Sequence, residues 1–314
     1  MERSTREAYG TTLVELGRQN PDIVVLDADL SKSTQTNLFA SEFPHRFFDC
    51  GIAEQNMIGI AAGLAASGKT VFASTFAVFA TGRCFDQIRM SVAQPGLNVK
   101  IVATHGGITV GEDGTSHHSI EDLALICTLP GFTVVVPADA TEAAHAVKVA
   151  AQTYGPFYIR LSRPKTPSVY APDYKFTLGR AATLREGKDI TIIATGIMAA
   201  SAMGAAQNLA LEGIDCRVLS MATIKPLDRD AIVKAALETG AIVTAEEHLR
   251  RGGLGSAVAQ IVAEQRPVPM SFIAINDTFA KSGKPDELLR RYRLTAADIE
   301  SAARSLILRK HAHI

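Results

Sequence analysis

The sequence predicts two consecutive α/β domains. Short β-branched runs alternate with helix-length, alanine-rich segments along the 314 residues, which is the pattern of α/β proteins. The runs are almost continuously apolar, as expected of strands in a parallel sheet that is covered on both faces. The length favours two domains of roughly 150 residues each. A proline-rich, aperiodic segment at 163–172 separates the two patterns.

The first domain is predicted to span residues 1–165. Short apolar runs are interpreted as strands, and the longer alanine-rich intervals between them as helices. On this basis the strands are 23–26, 71–74, 99–103, 133–136 and 158–161, and the helices are 6–19, 58–67, 82–93 and 141–152.

A linker at 166–187 is predicted to precede the second domain, at 188–314. The glycine-rich run Gly252-Gly253-Leu254-Gly255-Ser256 could bind an anion at a helix N-terminus, although a tight turn is the favoured interpretation. The predicted strands are 190–194, 216–221, 242–245 and 271–275, and the helices are 200–211, 229–238 and 254–264.

The composition excludes several classes of function. The 32 basic and 32 acidic residues cancel, so no basic field points to nucleic acid or to an anionic membrane. No uncharged apolar run is long enough to span a bilayer, and the first residues lack the apolar core of a signal peptide. The four cysteines form no C-x-x-C pair, which argues against a disulfide framework or a zinc site. We therefore expect a cytoplasmic globular protein.

The segment 49–57 contains the most informative residue. Glu54 stands between a polar turn and the small apolar residues 58–66, which predict a helix that is apolar on all sides. A carboxyl group on such a helix is costly to bury unless it is paired, and buried acids are candidates for proton transfer. Alternatively, Glu54 faces solvent and stabilises the helix N-terminus through the helix dipole.

Two further groups of residues follow predicted strands, where α/β proteins place their sites. Phe76 and Phe79 could form an aromatic platform for a planar ring, although phenylalanines at this spacing are also common in a core. The loop 104–118 contains four glycines and three histidines, which suits close approach to a ligand and hydrogen bonding to hydroxyl groups. A metal site at His117 and His118, or a solvated surface loop, are the alternatives for this segment.

Basic residues indicate a third group. Arg6, Ser33 and Arg163 could converge on a phosphate, because guanidinium groups offer paired donors to phosphate oxygens and a hydroxyl adds another. Sequence alone does not show that they converge, and solvent-exposed arginines are the alternative.

Four motifs, in this order along the chain, resemble the transketolase family. The resemblance covers about residues 1–165 as a parallel-sheet thiamine-diphosphate pyrimidine-binding domain and, more weakly, 188–314 as the smaller transketolase C-terminal α/β domain. The motifs are Gly51-Ile52-Ala53-Glu54-Gln55, Ser74-Thr75-Phe76, Phe85-Asp86-Gln87-Ile88-Arg89 and Gly111-Glu112-Asp113-Gly114-Thr115-Ser116-His117.

The resemblance implies how the cofactor is bound. Glu54 matches the catalytic glutamate that hydrogen-bonds the aminopyrimidine of thiamine diphosphate and so promotes loss of the thiazolium C2 proton. Phe76 and Phe79 match the aromatic residues that pack against the pyrimidine ring. Asp29 matches an aspartate near the cofactor at the subunit interface.

The resemblance also implies how the substrate is bound. His105, Asp113 and His117 match residues that line the sugar channel, and the two histidines are candidate catalytic groups. The positions that hold the sugar phosphate in the family are matched by Arg6, Ser33, His105 and Arg163.

The implied activity is transfer of a two-carbon ketol group from a ketose phosphate to an aldose phosphate. The Gly-Asp-Gly…Asn motif that binds the diphosphate and its metal in the family is absent. We therefore expect an N-terminal partner subunit of about 270–300 residues, which supplies the ligands for Mg²⁺ or Ca²⁺ in an α2β2 assembly. A deoxyxylulose-phosphate-synthase-like enzyme, a 2-oxoacid dehydrogenase β-type subunit and a non-catalytic scaffold subunit are the alternatives.

Two positions depart from the family. Where some members have a third aromatic residue after the phenylalanine pair, this chain has Gly82-Arg83, so the far edge of the ring pocket is not defined. Gly106-Gly107 is smaller than the pairs found there in relatives, which suggests room for a different or branched sugar.

Overall fold

A computed structural model describes residues 3–171 and 173–312 of the chain. The first domain alternates strands and helices, with a short 3₁₀ turn at Pro44–Arg46 and two π-helical segments at Phe79–Arg83 and Ile88–Ala93. Its strands are β1 (Arg3–Ser4), β2 (Ile23–Asp27), β3 (Phe47–Asp49), β4 (Thr70–Phe76), β5 (Val99–Thr104), β6 (Thr133–Val135), β7 (Phe157–Arg160) and β8 (Lys165–Thr166). Its helices are α1 (Thr5–Gln19), α2 (Ser31–Thr34), α3 (Asn37–Glu42), α4 (Glu54–Ala66), α5 (Cys84–Gln87), α6 (Asp122–Cys127) and α7 (Ala140–Gln152).

The second domain has the same alternating pattern. Its strands are β9 (Ala182–Arg185), β10 (Ile190–Ala194), β11 (Cys216–Ser220), β12 (Thr223–Lys225), β13 (Ile242–Leu249) and β14 (Met270–Ile275). Its helices are α8 (Met198–Leu211), α9 (Arg229–Thr239), α10 (Leu254–Gln265), α11 (Pro285–Arg291) and α12 (Ala296–Ala312). No helix in either described range is long and apolar enough to cross a membrane.

Two sheets organise the domains. The first has the order β12-β6-β7-β5-β4-β2-β3 and is parallel except for β12, which comes from the second domain and pairs antiparallel with β6. The second has the order β14-β13-β10-β11-β9 and is parallel except for β9. In the first sheet the neighbours β7, β5, β4 and β2 all point the same way. Residues that follow these four strands therefore meet at one edge of the sheet.

The predicted fold class is confirmed, and all predicted strands are present. Helix α4 begins at Glu54 rather than at 58, because polar and acidic side chains are compatible with a first helical turn. Strand β13 continues to Leu249 rather than ending at 245, through ionisable residues that find partners inside the protein. The predicted helix 82–93 is instead the short α5 between two π-helical segments. The segment 166–187, interpreted as a linker, contains β9.

The glycine-rich run at 252–256 begins with a turn, as favoured from sequence, and continues into the first residues of α10. Gly252 adopts a left-handed φ of 78°, and α10 begins two residues later. The first amide groups of α10 are taken by a buried side chain of β13: the Glu246 carboxylate accepts from Leu254 N at 2.7 Å and from Gly255 N at 2.8 Å. The anion at this helix N-terminus is therefore part of the protein itself.

A buried carboxyl group fastens the segment after β8 to the first domain. Glu142 on α7 accepts from Ala138 N at 2.8 Å and from the Tyr174 hydroxyl at 2.9 Å. Burial raises the pKa of Glu142 to about 7. The pKa of this carboxyl group in the unfolded chain is 4.5. Between pH 4.5 and about 7, Glu142 therefore binds a proton in the folded chain but not in the unfolded chain.

This linkage predicts a pH dependence of stability. The stabilisation from proton uptake by Glu142 is complete below pH 4.5 and is lost as the pH rises through about 7. As the pH rises from 5 to 7.5, the free energy of unfolding should therefore fall by about 2 kcal/mol less in Glu142→Gln than in the wild type. Urea unfolding at several pH values measures the difference, and parallel profiles for the two proteins would contradict it.

Candidate active site

Glu54 is the first residue of α4 and is buried, with 4 % of its surface exposed. Its Oε1 accepts from Arg83 Nη1 at 2.6 Å. The chain approaches it through a turn in which Gly51 has a left-handed φ of 68° and donates to Asp49 Oδ1 at 2.9 Å. The paired, buried arrangement excludes the solvent-facing alternative in this structure.

Aromatic rings lie beside Arg83, the partner of this carboxyl group. Phe76 ends β4, and Phe79 begins a π-helical segment, a feature that is frequent at functional sites. The two rings are stacked, with centroids 5.7 Å apart. The imidazole of His105 stacks on Phe76 at 3.8 Å, and His117 meets the Phe79 ring edge-on at 5.3 Å. Phe76 and Phe79 are therefore part of a wall that includes both histidines.

Arg83 closes the far edge of this wall, where the sequence left it undefined. Its guanidinium lies 4.1 Å from the centroid of the Phe79 ring and donates to Glu54. A guanidinium stacked on a ring covers an apolar face much as an aromatic residue does. Arg83 therefore covers one face of the Phe79 ring.

His105 has an electrostatic environment that the sequence did not indicate. It is buried, has a left-handed φ of 60°, and its Nδ1 lies 2.8 Å from Thr104 Oγ1. Burial, followed by the charges of Arg6, Arg163 and His117, lowers its pKa to about 3. The imidazole is therefore neutral near pH 7 and acts there as a hydrogen-bonding group.

The structure brings the basic residues together around His105. Arg6 Nη1 donates to Ser33 O at 2.8 Å, and Arg163 Nη1 donates to Val110 O in the loop after β5. Burial and the nearby Arg163 both lower the pKa of Arg6. The Nε atom of Arg6 is buried and has no hydrogen-bond partner among the described residues. Two guanidinium groups that repel each other beside an unused donor favour an anionic ligand.

Two of the predicted residues lie at the exposed side of this group. Asp113 is exposed, with Oδ2 4.0 Å from Arg163 Nη1. Asp29 is exposed as well, has a left-handed φ of 62°, and donates its backbone N–H to Asp49 Oδ1 at 3.0 Å.

Asp27 is a residue that sequence reasoning missed. It is fully buried at the end of β2, where burial raises its pKa to about 6. Its carboxylate accepts from Leu30 N at 2.7 Å and from the hydroxyls of Thr34 at 2.6 Å and Thr36 at 2.8 Å. These bonds fold the turn that carries Asp29 and Ser33. The available signal was an acid that ends an apolar strand directly before a polar turn.

Gly106 and Gly107 have a different role from the one suggested by sequence. A Cβ atom on Gly106 would lie 2.3 Å from Nε of Arg160, and one on Gly107 would lie 2.1 Å from the carboxyl carbon of Glu247. The two glycines let the loop pack against these buried side chains. The interpretation that their small size makes room for a branched sugar is therefore not supported.

This packing predicts a large effect of one methyl group. Gly107→Ala should destabilise the chain by roughly 2–4 kcal/mol, because φ is 87° and the Cβ overlaps Glu247. Gly204 in α8 is the matched control: a Cβ there meets only Ala296 Cβ at 3.9 Å, so Gly204→Ala should stabilise by about 0.5–1 kcal/mol. Urea unfolding of both variants tests the contrast, and equal effects would contradict it.

No group of three or more histidine, cysteine, aspartate or glutamate side chains within 3–171 and 173–312 could hold a metal ion. His117 Nδ1 lies 2.9 Å from Ser116 Oγ, and His118 Nε2 lies 3.1 Å from Gly111 O. The adjacent histidines thus have separate partners.

Comparison with known proteins identifies the family. Residues 1–168 match the transketolase pyrimidine binding domain, and 179–299 match the transketolase C-terminal domain. The chain belongs to the transketolase family. It is 43 % identical over 306 residues to the 6-deoxy-6-sulfo-D-fructose transketolase subunit SqwH of Clostridium sp. (strain MSTE9), covering 98 % of this chain and 95 % of that protein.

Other relatives of this transketolase-family chain are also subunits. It is 43 % identical over 290 residues to a subunit of the apulose-4-phosphate transketolase of Phocaeicola vulgatus, covering 92 % of this chain and 93 % of that protein. A solved structure described as a split gene transketolase, inactive beta4 tetramer, is 55 % identical with a TM-score of 0.91 and covers 97 % of this chain and 98 % of its own. The chain is therefore the C-terminal subunit of a split transketolase-like enzyme.

Proposed function

We propose that this subunit is part of a thiamine-diphosphate-dependent transketolase, which transfers a two-carbon ketol group from a ketose phosphate to an aldose phosphate. The observation that carries the proposal is that buried Glu54 is joined through Arg83 to the ring of Phe79, whose stacked partner Phe76 contacts His105 and so leads to the two arginines. Such a reaction needs an acid and an aromatic surface to position the cofactor ring, and a nearby group of donors to position the anionic end of the substrate.

The residues fit the aminopyrimidine of the cofactor. Glu54 offers a second carboxylate oxygen beyond the one bonded to Arg83, and the hydroxyl of Thr75, next to Phe76 on β4, is buried without a partner among the described residues. Thiamine diphosphate, when bound, supplies the carbon that accepts and returns the two-carbon unit. Glu54 would hold and polarise its pyrimidine ring, and Phe76 and Phe79 would exclude water from one side.

The substrate would be held by its charged end. Arg6, Arg163 and the neutral imidazole of His105 would donate to a terminal phosphate, with Ser33 nearby and Asp113 and His117 along the sugar chain. The sugars in the names of two relatives, 6-deoxy-6-sulfo-D-fructose and apulose 4-phosphate, both carry an anionic group, which supports this orientation. The sugar itself would be selected along the channel rather than at the anion.

The exposed surface beside Glu54 supports a partner subunit. Ile52 is 77 % exposed just before α4, and Phe48 and Ile60 are exposed nearby in the chain. Met90 is also exposed, on the π-helical segment that packs against α4. Large exposed apolar side chains are typical of surfaces that another chain covers. We propose that an N-terminal subunit binds the diphosphate and Mg²⁺ or Ca²⁺, that Asp29 lies at this interface, and that the assembly is α2β2. Chains without the partner would self-associate without activity, as described for the split-gene neighbour.

Isolation from the native extract tests the proposal. The chain should come out with a stoichiometric partner of about 270–300 residues, with thiamine diphosphate and a divalent metal in the complex. The complex should transfer a two-carbon unit to D-glyceraldehyde 3-phosphate. A complex that contains the partner but neither binds the cofactor nor transfers the unit would instead support a scaffold subunit.

A further inference from the structure

The end of β13 carries three consecutive ionisable residues, all buried at the junction of the two domains. Glu246, Glu247 and His248 have between 0 % and 4 % of their surfaces exposed. Glu246 is used within its own domain, at the start of α10. Burying a carboxyl group is costly unless it is bonded, so the direction in which Glu247 points indicates what it does.

Glu247 points into the first domain. Its Oε1 accepts from Thr109 N at 2.6 Å, and its side chain lies where a Cβ of Gly107 would be. Its backbone oxygen accepts from Arg160 Nη2 at 2.9 Å. The C-terminal domain thus contacts the loop that follows His105, although the anion-binding residues belong to the first domain.

Arg160 holds the same loop from the end of β7. Its Nη2 also donates to Ser119 O at 3.0 Å, and that oxygen accepts from Gly107 N at 2.7 Å. Its Nε forms a buried ion pair with Asp122 at 2.9 Å. The loop between His105 and Ser119 is therefore fixed at both ends against an arginine and a glutamate from different domains.

His105 needs such support. It is a non-glycine residue with φ at 60°, a conformation that persists only where surrounding contacts enforce it. Its ring stacks on Phe76, with centroids 3.8 Å apart, within range of the charges of Arg6 and Arg163. The residues immediately after it are those that Arg160 and Glu247 hold.

We propose that Glu247 and Arg160 are positioning residues, which hold His105 in its strained conformation and thereby set the affinity for the terminal anion of the substrate. The C-terminal domain then contributes to substrate binding without lining the site. This inference rests on the proposed function, in which His105 contacts that anion.

The test compares neighbours on one strand. Glu247→Met keeps the volume but removes the acceptor for Thr109, whereas Glu247→Gln keeps an oxygen acceptor. Glu246→Met is the matched control, because that glutamate is equally buried and contacts α10 rather than the loop. In the reconstituted complex, Glu247→Met should raise KM for D-glyceraldehyde 3-phosphate at least 10-fold with kcat changed less than 3-fold, and Glu247→Gln should restore most of the affinity. Glu246→Met should leave KM unchanged.

Equal KM values for the Glu247→Met and Glu246→Met proteins would overturn the proposal. Arg160→Lys tests it from the other domain: it keeps the charge beside Asp122 but loses the fork that holds Ser119 and Glu247, and it should raise the same KM. This second variant decides the matter if Glu247→Met does not fold.

A titration without the partner separates this inference from the proposed function. Inorganic phosphate added to the chain alone should shift the NMR resonances of the His105 ring in the wild type, with at least 10-fold weaker affinity in Glu247→Met. The chain alone could show these phosphate affinities while the reconstituted complex fails to transfer a two-carbon unit. That result would reject the proposed reaction and keep the positioning role. Identical phosphate affinities in both proteins would reject the positioning role.

Discussion

Replacement of Glu54 by alanine should lower kcat of the reconstituted complex by roughly 10²–10⁴-fold, the range typical for loss of a positioned acid or base. The carboxyl group is the buried acid that is joined to the Phe79 ring through Arg83, and it is the group proposed to hold and polarise the cofactor pyrimidine. The loss should appear in steady-state two-carbon transfer at saturating substrate and cofactor.

The fold should survive this substitution. Alanine favours the helix, and Arg83, which loses its partner, is half-exposed to water, so the substitution leaves no buried unpaired charge. Glu15→Gln is the control, because Glu15 is a half-exposed surface carboxylate paired with Lys148 at 3.0 Å. Unchanged kcat in Glu54→Ala, with assembly and cofactor content intact, would remove Glu54 from the chemistry.

The sequence predicted those features that depend on short segments. Glu54 at the start of an apolar helix, Phe76 and Phe79 after a strand, and the histidine loop after the next strand are each carried by consecutive residues. The neighbouring parallel strands β4 and β5 then place the phenylalanines and the histidine loop side by side. Because strand ends of a parallel sheet meet at one edge, recognition of these two strands was enough to bring those residues together. Glu54 instead follows β3 (Phe47–Asp49), a strand that the sequence did not predict.

Features that depend on distant pairs could not be predicted. Glu247 lies 138 positions after Thr109 in the chain, and no local pattern indicates their contact. The same is true of Arg83, whose role depends on Glu54 and Phe79 lying on either side of it. Gly106 and Gly107 were consequently interpreted as free space, although the structure fills that space with Arg160 and Glu247. The pKa of His105 likewise depends on burial and on charges from three separate segments.

The phosphate proposal makes the second large prediction. The double variant Arg6→Ala/Arg163→Ala should raise KM for D-glyceraldehyde 3-phosphate by roughly 10²–10⁴-fold, because each charged hydrogen bond contributes about 1.5–3 kcal/mol. D-glyceraldehyde differs from this substrate only by lacking the phosphate. With hydroxypyruvate, which has no phosphate, as the donor, KM for D-glyceraldehyde should change little. The ratio of the two KM values isolates the anion from the sugar chain.

Two comparisons make this result decisive. Arg18→Ala is the control for loss of an arginine from α1, because Arg18 is exposed and paired with Glu42 at 2.6 Å. It should leave both KM values unchanged. An equal rise in KM for the two aldehydes in the double variant would mean that the arginines organise the loop rather than bind the anion, because a general loss of order cannot distinguish substrates that differ only in the phosphate. A rise in KM for the phosphorylated aldehyde alone would locate the terminal anion between α1 and the end of β7. The two aldehydes differ only in the phosphate, which is the group that the two guanidiniums are proposed to bind.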